Sequence, residues 1–156
     1  MKIISLLNED NVLPNLNVSD KKEALERVIS SLSSQVSDEE LQAIRDAVFE
    51  REEIMSTGVG KGLAIPHGKT AAIDDNYAAF ALLKEGIEYQ AIDGEPVRMI
   101  FLLVGPQSSN RMHIKMLSRI SRLMNNSAFT KKLVKADSSK KIIELFKQEE
   151  EAHFGG

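Results

Sequence analysis

The chain has 156 residues, 42% of them hydrophobic and 28% charged, and a formal net charge of -3. That length and balance predict one globular domain, residues 1 to 156, large enough to bury a real core, and they exclude a nucleic-acid binder that works through bulk positive charge. With no cysteine there is neither a disulfide framework nor a thiolate site, and the apolar run in MKIISLLNEDNV is too short for a signal peptide or a membrane span, so a cytoplasmic protein without direct membrane insertion is expected.

From Asp20 the pattern is helical: Asp20 can cap, Glu23 follows three residues later, and Leu25, Val28, Ile29 and Leu32 recur on one face. A second helix begins at Ser37, where Glu40 completes a capping box and Leu41, Ile44 and Val48 form the inward stripe. Three places further along that stripe stands Arg51, so a guanidinium is expected at the edge of the core. A cation in a last helical turn also complements the helix dipole, and position alone leaves both roles open.

Next comes a glycine-rich loop, then Leu63 to Ile65 as a short buried strand. Tyr77 to Leu83 and Val97 to Val104 are longer strands with Asp93-Gly94 as a turn between them. Gly105-Pro106 ends the last strand, and Asn110 is positioned to cap a helix whose apolar side carries Met116, Leu117, Ile120 and Met124, with His113 one turn before Leu117. Two short helices, near Ser127 to Lys135 and Ser138 to Lys147, close the chain. The basic series Arg111, Lys115, Arg119 and Arg122 and the acidic run Glu149 to Glu151 read as solvated faces. Helices before, between and after strands predict an α/β sandwich, a mixed β-sheet flanked by helices on both faces.

The stretch Arg51 to Thr70, REEIMSTGVGKGLAIPHGKT, makes least sense as packing. Gly58, Gly60, Gly62 and Gly68 surround a short apolar run that ends in Pro66 and His67, so backbone N–H groups and a histidine are expected close to something small. It is neither common phosphate loop. A G-x-G-x-x-G pattern from Gly58 requires glycine at Leu63. The P-loop pattern ending in Gly68-Lys69-Thr70 also requires glycine at Leu63 and would place Pro66, which has no N–H, in the cradle.

The string R-x-x-x-x-S-T-G-V-G-x-G-L-A-I-P-H-x-K does resemble, as a whole, the active-site segment of the phosphotransferase-system enzyme IIA proteins of the fructose, mannitol and nitrogen-regulatory type. Ala91 to Val97, AIDGEPV, and Met112 to Leu123, MHIKMLSRISRL, extend the resemblance over nearly the entire chain. It implies an α/β sandwich with the histidine segment at a sheet edge, in a shallow depression that a partner protein can reach. It also implies that His67 accepts a phosphoryl group from the histidine phosphocarrier HPr, or its nitrogen-branch relative, and that His113 is part of the site. The downstream partner would be a IIB component, or a regulated protein in the nitrogen branch. No cofactor is implied. A metal site from His67, His113 and His153 lacks any HExxH-type spacing.

The residue chemistry fits. An imidazole with pKa near ~6.5 is largely neutral at cytoplasmic pH, so one ring nitrogen of His67 can attack while the other is held by a hydrogen bond. Pro66 would fix the chain and Gly68 would leave the ring uncovered. A phosphohistidine carries nearly two negative charges, for which the donor fork of Arg51 is matched, with hydroxyls and backbone N–H groups at Ser56 and Thr57 as a supplement. His113, at a helix start, would sit beside free backbone donors that lower its pKa.

Overall fold

The computed structural model describes residues 2–154. Its centre is a pair of long antiparallel strands, here β5 (Tyr77–Ile87) and β6 (Val97–Pro106). Their side chains alternate between two cores. Phe80, Leu82, Phe101 and Leu103 point to one face, and Ala79, Ala81, Ile100 and Leu102 to the other. Because both faces are covered, the strands read as nearly continuous apolar runs.

On the alanine-bearing face lie α1 (Lys21–Ser30) and α2 (Asp38–Ile54), capped as expected by Asp20 and by the Ser37–Glu40 box. The other face carries a short 3-10 helix, Ile3–Leu6, together with α3 (Asn110–Met124), α4 (Ser127–Val134) and α5 (Ser139–Phe154). There Phe146 meets Phe80, Phe101 and Phe129 edge to face at centroid distances of 5.1 to 5.6 Å, and Phe80 and Phe101 are tilted at 6.0 Å. Aromatic pairs of this geometry add about 0.5–1.5 kcal/mol each beyond the area they bury.

With β1 at Val12–Leu16, β2 at Gly58–Gly60, β3 at Leu63–Ala64 and β4 at His67–Thr70, the sheet runs β1-β5-β6-β3-β2, with β4 also on β6. It is mixed: β1 is parallel to β5, while β3 and β4 are parallel to β6. Residues 63 to 70 are thus one extended run along β6, interrupted at Ile65-Pro66, where proline has no N–H for the ladder. This register carries His67 to Leu103, near the end of β6 from which the chain leaves for α3.

Three expectations change. The glycine-rich segment is not a loop: Gly58–Gly60 forms β2, an edge strand paired antiparallel to β3. Asn110 is the first residue of α3 rather than its cap. Ser109 holds the cap position without a side-chain bond, and the Asn110 carboxamide instead accepts from the Lys69 ammonium. Finally, α5 runs to Phe154, so the acidic run lies within a helix. Its Glu150 is 2% exposed and accepts from the N–H groups of Ile3 and Ile4 and from Arg119 Nε, tying the amino terminus and α3 to α5. β1 escapes sequence reading because Pro14 argues against a strand, a rule that relaxes at a sheet edge.

Candidate functional site

His67 opens β4 half-buried, and its Nδ1 lies 2.9 Å from the carbonyl oxygen of Ile65, two residues back. A carbonyl only accepts, so Nδ1 carries the proton and the lone pair is on Nε2. Burial lowers the pKa of the ring; the Ile65 bond opposes this, while Arg51 and Lys69 add to it. A neutral ring with one nitrogen held and the other bare is what a nucleophile requires.

The ring borders an open hollow of about 600 Å³, walled by Arg51, Met55, Ser56, Gly58, Ile65 and Leu117. Three of its lining side chains, Met55, Val59 and Ile92, are exposed apolar groups.

Arg51 is at the wall, but not on the inner stripe. Ile44 and Val48 continue to Glu52, four residues on, and Arg51 stands beside it half-exposed, with Nη1 donating to the Met55 carbonyl at 2.8 Å. Glu52 is the residue the sequence reading passed over. Its carboxylate accepts from Thr57 N at 2.6 Å, from the Thr57 hydroxyl and from the Tyr89 hydroxyl, and it pairs with Lys21 at 3.0 Å. Tyr89 is fully buried, and burial together with Glu52 pushes its phenol far above its ordinary pKa. Sequence spacing admits either residue, since Arg51 follows Val48 at i+3 and Glu52 at i+4.

This network alters how the segment works. The N–H groups of Thr57, Gly58 and Lys61 go to Glu52, Ser56 Oγ and Asp93 respectively, so these three are not open to an anion. The Thr57 hydroxyl is likewise taken by Glu52. Ser56 remains at the wall with its hydroxyl donating to the Tyr89 carbonyl at 3.1 Å. Gly68 does not uncover the ring: a Cβ there would lie 3.1 Å from Ala47 C and Val48 N, so glycine lets α2 pack against β4.

His113 meets His67 at a centroid distance of 5.7 Å, with the rings tilted by 52°. It is 4% exposed, and neither ring nitrogen has a partner. Burial first, then the neighbouring His67 and Lys69, lower its pKa to about 4. The expected cause, free donors at a helix start, is not among these; burial and the charges of His67 and Lys69 account for the shift. Lys61 and Lys69 lie near the segment. His153, on α5, pairs with Glu149 at 2.6 Å, away from the other two histidines. Among the described residues no cluster of three or more His, Cys, Asp or Glu is arranged to hold a metal.

A half-buried histidine and an arginine line one open hollow on an α/β sandwich, and a second, buried histidine lies 5.7 Å from the first. Residues 5–149 fit the family described as "Phosphoenolpyruvate-dependent sugar phosphotransferase system, EIIA 2", and the chain belongs to that family. It is 35% identical over 133 residues to a nitrogen regulatory protein of Bradyrhizobium diazoefficiens, covering 85% of this chain and 86% of the relative. It is 32% identical over 148 residues to the fructose-specific EIIABC component of Bacillus subtilis, covering 95% of this chain but 23% of that much longer protein. Its fold superposes on nitrogen regulatory protein IIA-Ntr of Neisseria meningitidis with a TM-score of 0.84 at 27% identity, covering 92% of this chain and 98% of the other. No helix of the described residues is long and apolar enough to cross a membrane.

Proposed function

We propose that the chain, read as one such domain from 1 to 156, is a histidine phosphocarrier. His67 takes a phosphoryl group on Nε2 from an HPr-like carrier and gives it to a IIB component or holds it as a regulatory signal. The observation that carries this is the His67 ring itself, fixed by Ile65 through Nδ1 and bare at Nε2 beside an open hollow. Phosphoryl transfer needs little covalent chemistry beyond a positioned nucleophile and positive charge around the moving oxygens. Arg51 supplies a guanidinium fork at the wall; turning from the Met55 carbonyl to a phosphoryl oxygen exchanges a neutral acceptor for a charged one. Ser56 and the second imidazole, His113, supply further polar groups, whereas Thr57 acts through Glu52. The exposed apolar rim suits docking by a carrier protein.

The likeness to nitrogen regulatory proteins over most of both chains favours a regulatory outcome, in which the phosphate state of His67 changes which protein the same face binds. Either outcome fits a cytoplasmic protein that meets other proteins and neither nucleic acid nor the membrane interior. The test is incubation with a phosphorylated histidine carrier. The wild type should become labelled and His67→Ala should not, while both fold alike; equal labelling of the variant would end the assignment. Adding candidate IIB domains then separates the outcomes, since a transport component loses its label to one of them and a regulator keeps it.

A further inference from the structure

Asn76 stands one residue before the Tyr77–Val104 pair of the β5–β6 ladder, which sets it opposite Gly105. A Cβ at Gly105 would run into the Asn76 side chain and come within 3.5 Å of His113 Nδ1. The bare glycine therefore leaves a space bordered by a carboxamide at the start of β5 and an imidazole on α3, with no hydrogen bond joining the two. Asn76 Oδ1 and both ring nitrogens of His113 are buried polar atoms without a partner. Buried polar atoms nearly always find one, so three without partners beside one glycine call for a common explanation.

We propose that Asn76 is a positioning residue for His113: a small turn of its side chain, which leaves Oδ1 unbonded in the present structure, lets Oδ1 accept the Nδ1–H of the ring, and this leaves Nε2 to meet a phosphoryl oxygen on His67 and to take up a proton as that group arrives. The proposal rests on the phosphocarrier reading and adds a residue to it. A neutral imidazole has one N–H and an imidazolium two, so the charged form needs an acceptor on each side. Asn76 Oδ1 is one, and the phosphoryl oxygens become the other. Before transfer, the charged or chargeable neighbours are His67 and Lys69 on β4, and both disfavour a second proton, while Gly105 on β6 and Asn76 itself carry no charge. A phosphoryl dianion at short range reverses that balance. The P–N bond to His67 Nε2 forms as the P–N bond of the donor imidazole breaks, its electron pair staying on the donor ring, which takes up a proton from water, while His67 keeps its proton on Nδ1 against the Ile65 carbonyl. The proton gained by His113 comes from water.

The test is 15N-imidazole NMR of the full chain, before and after phosphorylation, for wild type, Asn76→Leu and Asn76→Asp, with transfer rates measured alongside. In the wild type His113 should carry its proton on Nδ1 before transfer and on both nitrogens after it. Asn76→Leu should shift the proton away from Nδ1 and slow transfer about tenfold at unchanged carrier KM, the order expected for one orienting hydrogen bond. Asn76→Asp keeps an acceptor and should recover most of the rate. If the leucine variant does not fold, Asn76→Ser is read in its place. A wild-type proton on Nε2 before transfer, or a leucine variant unchanged in both spectrum and rate, overturns the proposal. A wild type that takes no phosphoryl group brings down the carrier reading and this one with it; uptake without a second proton on His113 brings down this one alone.

Discussion

Glu52 and His113 are both buried ionisable side chains flanking the site, and their surroundings treat them oppositely. Glu52, on α2, is 7% exposed and bonded to Thr57, Tyr89 and Lys21. His113, on α3, is 4% exposed with both nitrogens unpaired. A buried polar group without a partner costs about 1 to 3 kcal/mol, so it persists only where something else is gained. The α2 side of the hollow is scaffold that fixes the backbone of residues 56 to 58. The α3 side is left incomplete, as it would be if the proposed phosphoryl group supplied the missing contacts.

The largest effect expected from breaking the scaffold side is that of Glu52→Ala. Removing the carboxylate strands the Thr57 N–H and the Tyr89 hydroxyl and leaves Lys21 without its acid, a loss of about 3 kcal/mol in urea unfolding. A loss below about 1 kcal/mol would mean that water replaces the carboxylate at little cost, contrary to the role given to it here.

Arg51→Lys probes the boundary between the two sides. A lysine at the end of α2 still complements the dipole, so stability should change by less than about 0.5 kcal/mol. Transfer should slow by the equivalent of about 2 to 4 kcal/mol, with the deficit in rate rather than in carrier binding, because a point charge replaces a fork. Unchanged transfer would reduce Arg51 to a helix-end cation bonded to Met55.

The incomplete side is tested by pH. The pKa of His113 is depressed in the fold, from 6.5 to about 4, so the unfolded chain binds the proton more tightly. Stability from this group is therefore whole above about pH 6.5 and is lost as pH falls towards about 4, by on the order of 3 kcal/mol. His113→Gln should flatten that part of the stability curve. An equally steep curve in the variant would show that other groups produce it.

The smallest effect is expected at Gly68→Ala, where the added methyl presses on the α2 backbone at Ala47 and Val48. A loss of about 1 to 2 kcal/mol in thermal unfolding is expected, the usual size for overpacking. A neutral result would mean that α2 shifts freely, which the tightly bonded Glu52 on the same helix argues against.

Much of this protein was determined by its sequence. The capped starts of α1 and α2, the two long apolar strands and the order of helices and strands follow from local periodicity and capping, which act over a few residues. The choice of His67 followed from an unbroken motif of glycines, Pro66 and Arg51 in one stretch of chain. Tertiary structure alone decided the rest, because it depends on residues far apart in sequence. Whether Arg51 or Glu52 points inward turns on the pitch of α2 against β4. The task of Gly68 is set by the helix packed over it. The low pKa of His113 comes from burial beside His67 and Lys69, and its approach to Asn76 exists only because the β5–β6 register brings both to Gly105. No local pattern encodes those distances, since each is fixed by how separate elements pack.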